Sequence, residues 1–125
     1  MKYGHARVGS VGQDLTIQVR KLNEVGCDVI HEEKVSGTAL KGRKEFEALM
    51  EFMRDGDELV VTRIDRLARS IRDLQNLVYE LKQRGVTLSA TEQPIDTKTS
   101  AGKAFLDMLG VFSEFETNLR KERQM

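Results

Sequence analysis

Short apolar runs alternate with amphipathic stretches along this chain, and that alternation restricts the fold more than any single motif does. "YGHARV" (3–8) reads as a first strand. "GQDLTIQVRKLNEVG" then places Leu15, Val19 and Leu22 at helical spacing and stops at Gly26. "CDVIHEE" is a second strand, and "VSGTALKG" is a loop of small residues. "RKEFEALMEFMRDG" is a helix with Phe46, Leu49, Met50 and Met53 on one face, closed by Gly56. "DELVVTRI", "SIRDLQNLVYELKQRG" and "VTLSATE" follow as strand, helix and strand, with Leu74, Leu77, Val78 and Leu81 as the inward face of that helix. Strand and helix in strict turn predict parallel βαβ units. The expected fold is α/β, a mostly parallel sheet of four to five strands with helices on both faces.

The last stretch breaks the alternation. "AFLDMLGVFSEFETNLRKERQM" predicts a long C-terminal helix with Phe105, Met108, Leu109, Phe112, Phe115 and Leu119 as one continuous stripe. Leu106 and Val111 lie off the stripe, so the apolar surface is wider than one contact needs. Two roles stay open for this helix: closing the domain core, or also packing on another subunit.

Composition narrows the function classes. The chain has 125 residues, 39% hydrophobic and 32% charged, as in a soluble globular domain with one substantial core. No apolar stretch approaches the roughly 18 residues of a membrane span. Cys27 is the single cysteine, which excludes an internal disulfide and fits a reducing cytoplasm; it reads as a small core residue. With His5 and His31 far apart, it makes a poor metal set, and no metal is expected. Net charge is zero, but the distribution is uneven. Arg63, Arg66, Arg69 and Arg72 face one acid, Asp65, and Arg120, Lys121 and Arg123 form a second basic cluster.

Ligand sites of parallel α/β sheets gather beyond the carboxyl ends of the strands. Arg7 to Ser10 follow the first strand, Arg43 the second, and Asp65, Arg66 and Arg69 the third. Convergent arginines suit phosphate, whose oxygens match the guanidinium fork. Arg66 and Arg69 can share a helix face, whereas Arg63 and Arg72 drift away toward solvent.

Four separated motifs, "ARVGSVGQ" with "DLTIQ", "EKVSGTALKGR", "RIDRLARS" and "GKAFLDMLGVFSEFE…RKER", resemble the serine recombinase family of resolvases and DNA invertases. The resemblance runs over essentially all 125 residues. It implies an α/β catalytic domain over residues 1–100 and the start of a long oligomerisation and DNA-contacting helix over 101–125. The small helix-turn-helix domain that follows in the family is absent from this sequence. It also implies site-specific recombination: a serine hydroxyl attacks a DNA phosphodiester, leaving a 5′-phosphoserine link and a free 3′-hydroxyl, and reversal reseals the strands. No nucleotide cofactor is needed, and arginines can stabilise the phosphoryl transition state without a metal.

On matching positions the resemblance gives that stabilising role to Arg7, Arg43, Arg66 and Arg69. Asp65 either orients arginines or handles the leaving-group proton. Gln13 and Gln18 match polar positions close to the nucleophile. Arg120, Lys121, Glu122 and Arg123 lie where DNA contacts are expected, and Gln18 is grouped with them. The implied partners are double-stranded DNA and further copies of the chain, as homodimer and synaptic homotetramer through the C-terminal helix. No membrane is implied, and the expected location is the bacterial cytosol or nucleoid, on a mobile element.

This chain departs from the family pattern at two positions, the aromatic replaced by His5 and the nucleophile position held by Gly9. Where it has aromatic-Ala-Arg-Val-Ser, this chain has His5-Ala6-Arg7-Val8-Gly9, and Ser10 falls one position later. Ser10-Val11-Gly12-Gln13 has the form of a capping box, which would aim the Ser10 hydroxyl at its own helix and contribute about 1 kcal/mol. Neighbouring residues on an extended chain also point to opposite sides. Ser10 is thus a helix cap or a fallback nucleophile, and cleavage is expected to be impaired. Two alternatives stand beside a disabled recombinase: a recombinase-like protein that assembles on DNA without cutting it, and an unrelated enzyme cradling an anion at Gly9–Gly12. The second leaves the later motifs unexplained.

Overall fold

A computed structural model describes residues 1–8, 13–34, 44–64, 67–68 and 70–124. The elements are β1 (Lys2–Val8), α1 (Gln13–Glu24), β2 (Val29–Lys34), α2 (Lys44–Phe52), β3 (Glu58–Val61), α3 (Ile71–Gln83), β4 (Thr87–Ala90) and α4 (Ser100–Gln124). The four strands form one parallel sheet in the order β2-β1-β3-β4. This is the architecture expected from the alternation. Pairing of Tyr3 with Val29 and Leu59 fixes the register across the centre.

The alternation of side chains along each strand divides the core in two. Ala6 and Val60 pack against Leu15 and Leu22 of α1, with Val19, Cys27 and Ile30 at the margin. Leu59, Val61 and Leu88 face the other way, into a larger cluster with Phe46, Leu49 and Met50 of α2 and Leu74, Leu77 and Leu81 of α3. Helices therefore cover both faces, α1 on one and α2 with α3 on the other. Each fully buried leucine contributes about 1.5–3 kcal/mol.

Element ends differ from the sequence expectation for local reasons. Gly26 sits at φ +83°, and the Cys27 N–H donates to the Leu22 carbonyl, so Cys27 ends a turn and β2 starts at Val29. Burial pushes the Cys27 thiol up. Ser70 caps α3 by accepting from the Asp73 N–H at 3.0 Å. The α4 helix begins at Ser100, four residues earlier than the expected start at Ala104, because the Thr99 hydroxyl accepts from the Gly102 N–H at 3.0 Å.

The α4 stripe divides. Phe105, Leu106 and Leu109 pack on the larger cluster, while Met108, Val111 and Phe112 are exposed. Leu106, off the stripe by sequence, packs on the larger cluster where α4 meets α3, and Gly110 lies over the Gln75 side chain there. No helix among the described residues is long and apolar enough to cross a membrane.

Candidate phosphate site at the carboxyl edge

The strand order sets where a ligand can approach. From β1 the chain moves to β2 on one side, then returns across β1 to β3 on the other. The carboxyl ends of β1 and β3 thus flank the switch point, where open α/β sheets form a crevice. Arg7 stands at that edge on β1, and residues 62–64 leave it from β3.

Arg7 is held there by its backbone. Pairing of β1 with β3 runs only from Lys2 to Gly4, so Arg7 lies beyond the paired part of that edge. The Gln18 side chain of α1 takes the place of a strand. Its Oε1 accepts from the Arg7 N–H at 3.0 Å, and its Nε2 donates to the Arg7 carbonyl at 2.8 Å. A carboxamide offers one acceptor and one donor side by side, as a peptide edge does. Gln18 is only 3% exposed. Expected from the resemblance to meet DNA, it is buried instead, with its amide engaged on the Arg7 peptide.

The segment after β3 is anchored in the same way. Its Thr62, Ile64, Leu67 and Ala68 are buried. Leu67 and Ala68 N–H groups both donate to the Ile64 carbonyl, and the Gln93 side chain accepts from the Ile64 N–H at 2.7 Å. Asp65 and Arg66 fall between these anchors in sequence. They lie outside the described residues, as do Gly9, Ser10, Arg43 and Arg69.

Beneath Arg7, on the α2 face, lies a polar pair within the core. His5 Nε2 and Glu33 Oε2 are 3.3 Å apart, with His5 1% and Glu33 5% exposed. The His5 ring meets Phe46 of α2 edge-on, with centroids 5.2 Å apart. Glu33 is the register partner of Arg7, so strand pairing sets the carboxylate's residue beside the arginine's.

Of the other expected positions, Gln13 is the first residue of α1. Arg120, Lys121, Glu122 and Arg123 occupy the last turns of α4, where Lys121 is exposed. Arg63 and Arg72 are both exposed, as expected. Phe115 and Leu119 continue along α4, Leu119 half-buried.

Sequence reading missed the His5–Glu33 pair and the Gln93 brace. The first had a signal: two polar residues at alternate, inward positions of adjacent predicted strands. The second had none, since Gln93 follows the last strand in a loop.

Residues 2–125 match the family described as Resolvase, N terminal domain. An integrase-like protein of Sinorhizobium fredii, y4lS, is 54% identical over 123 residues, covering 98% of this chain and 67% of its own length. The transposon Tn552 DNA-invertase BinR of Staphylococcus aureus is 42% identical over 125 residues, covering 98% and 65%. The chain thus spans about two-thirds of the length of these relatives. Among solved structures, the N-terminal catalytic domain of TP901-1 integrase superposes with a TM-score of 0.75 at 26% identity, covering 95% of this chain and 98% of that one.

Proposed function

This chain belongs to the resolvase family, and from that premise we propose that it is the catalytic domain of a serine site-specific recombinase, disabled for strand cleavage at Gly9. The observation that carries the structural side of this reading is the Gln18 brace, which fixes Arg7 at the switch point of the sheet. An arginine fixed there is suited to an anionic phosphodiester.

In the working reaction a hydroxyl oxygen at position 9 would attack phosphorus and expel the 3′-oxygen. The phosphoserine bond formed replaces the phosphodiester bond broken, so no external energy is consumed. Arg7, Arg43, Arg66 and Arg69 would stabilise the charge that develops on the phosphoryl oxygens. Asp65 would orient these arginines or take part in proton transfer to the leaving oxygen. Gly9 supplies neither oxygen nor proton. Ser10, one position later, is assigned to the helix start.

A second reading is favoured by the exposed Met108, Val111 and Phe112 on α4. The chain assembles with further copies, as dimer and tetramer, on double-stranded DNA and does not cut it. Arg120, Lys121, Glu122 and Arg123 would then lie along the DNA backbone.

The test joins this domain to a helix-turn-helix module and offers a crossover site in a supercoiled plasmid. The chain as it stands should form no covalent protein–DNA adduct, and Gly9→Ser should form one. Failure of Gly9→Ser to cleave, with the site bound, would leave only the assembly reading.

A further inference from the structure

We infer that Gln93 is a positioning residue for the phosphate site, acting through the Ile64 peptide on the stretch whose sequence carries Asp65 and Arg66. The inference rests on the proposed role of those two residues and goes beyond it, because it assigns a task in that site to a side chain from the loop after β4.

The loop is fixed before its side chain is. Pro94 confines the residue ahead of it, Gln93, to extended backbone. The Ile95 N–H donates to the Gln93 carbonyl at 2.7 Å, and the Ala90 N–H donates to the Ile95 carbonyl at 3.0 Å. Ile95 is 2% exposed, so the far end of this loop is anchored in the core. On the near end, the Thr91 N–H donates to the Val61 carbonyl and the Glu92 N–H to the Thr62 carbonyl, each at 2.9 Å. Two successive backbone bonds thus carry the chain after β4 alongside the chain that leaves β3.

At the next step the side chain takes over from the backbone. Gln93 Oε1 accepts from the Ile64 N–H at 2.7 Å. The Ile64 carbonyl accepts from the Leu67 and Ala68 N–H groups, each at 2.9 Å. Both polar groups of one buried residue are therefore held, and the chain leaving Ile64 is tied back to it after two residues, which in sequence are Asp65 and Arg66. Leu67 and Ala68 are buried as well, so both flanks of that pair are fixed before a phosphate arrives. The ordering cost then falls on folding rather than on anion binding. Gln18 does the corresponding work on the Arg7 peptide. Lys21, one turn further along α1, pairs with Glu92 beside Gln93, so α1 meets both the β1 and the β3 side of the edge.

The test uses the full chain and reads the backbone amide resonances of Ile64, Asp65 and Arg66, with inorganic phosphate titrated at low ionic strength well below the unfolding midpoint. A loss of global stability alone does not move a phosphate response measured there. Gln93→Met keeps the length of the side chain and removes the acceptor. Its Ile64 amide should exchange with solvent on the order of tenfold faster, its Asp65 and Arg66 amides should shift or broaden, and the phosphate concentration at half-response should rise by a similar factor, as expected for one hydrogen bond lost. Gln93→Glu keeps an acceptor but adds a charge, so it is read without phosphate; it should restore the Ile64 protection and the Asp65 and Arg66 amide positions. A folded Gln93→Met protein whose Asp65 and Arg66 amides match the parent overturns the inference, as does one whose phosphate response is unchanged while the parent responds. Ile64 protection that Gln93→Glu leaves unrepaired overturns it too. If Gln93→Met does not fold, Gln93→Ala removes the acceptor without filling its space, and the same unchanged amides there overturn the inference. A parent chain whose Asp65 and Arg66 do not respond to phosphate counts against the proposed function instead, and the amide readouts then decide the Gln93 brace by themselves.

Discussion

The side-chain amide of Gln18 brackets the peptide of Arg7, accepting from its N–H at 3.0 Å and donating to its carbonyl at 2.8 Å. An α-helix thereby extends the edge of a sheet past the point where the neighbouring strand stops. The arrangement ties the start of the core, where α1 packs on β1, to the residue that stands at the ligand edge.

Replacing Gln18 with methionine keeps most of the volume and removes both hydrogen bonds. Buried donors and acceptors left unpaired cost about 1–3 kcal/mol each. The Arg7 peptide groups lie at the edge, where water can reach them, so the expected loss is about 1–3 kcal/mol in all. Urea unfolding followed by circular dichroism measures it. A loss within error of zero would mean that the brace is incidental.

The fold was legible in the sequence because its signals are periodic and local. Period-two strands and period-3.6 helices with Gly26 and Gly56 as stops give the parallel sheet directly, and both glycines adopt the positive φ expected of helix or turn ends. The site was legible only in part. Arg7 was placed by the rule that ligands meet strand ends, but the role of Gln18 was not, because a glutamine facing a strand edge has the same spacing as one facing DNA. The division of α4 was also hidden. Phe105 and Phe112 repeat at helical spacing, and only tertiary packing separates the half-buried Phe105, set against the larger cluster, from Phe112, which is 60% exposed.

That division predicts opposite behaviour along one helix. Phe112→Glu should leave the unfolding midpoint nearly unchanged and weaken self-association, which sedimentation equilibrium detects. Leu106→Ala should destabilise the fold by about 1–3 kcal/mol, since it opens space on the core side. Equal self-association of parent and a folded Phe112→Glu protein would remove α4 from the proposed interface.

Two glycines of α4 differ in what a methyl group would meet. At Gly102 an added Cβ falls 2.2 Å from the Asp96 carbonyl oxygen and 2.4 Å from its nitrogen, both backbone. At Gly110 the nearest atom is the end of the Gln75 side chain, which can swing away. Gly102→Ala should therefore cost about 1–3 kcal/mol through forced backbone movement. Gly110→Ala should be far milder, because alanine's helix propensity, worth up to about 1 kcal/mol, offsets the adjustment. Thermal melts of the two variants give the comparison, and equal losses would contradict it.

The resolved charge shifts lie at the opposite, amino end of the sheet. A hydrogen bond from Lys98 at 2.8 Å holds the Glu58 carboxyl below its usual range, and the same contact raises Lys98. For Glu58 the linked stability is complete above the pKa of an unfolded glutamate and is lost as pH falls through the lower folded value. For Lys98 it is complete below the unfolded lysine value and is lost as pH rises through the higher folded one. The pair is thus constant around neutrality. Because both groups are substantially exposed, its contribution is small. Lys98→Met should return the Glu58 titration, followed by carboxyl carbon resonances, to the ordinary glutamate range. An unmoved titration would assign the shift to another cause.

Position 9 carries the central claim, and locating the covalent bond tests it most directly. The Gly9→Ser chain, joined to a helix-turn-helix DNA-binding module and trapped on a crossover site, is digested with protease and nuclease, and the nucleotide-bearing peptide is sequenced by mass spectrometry. The account predicts the 5′-phosphate on residue 9, no adduct from the parent chain, and adducts that persist when Ser10→Ala is added. A nucleotide on Ser10 in the parent chain, lost in Ser10→Ala, would contradict it.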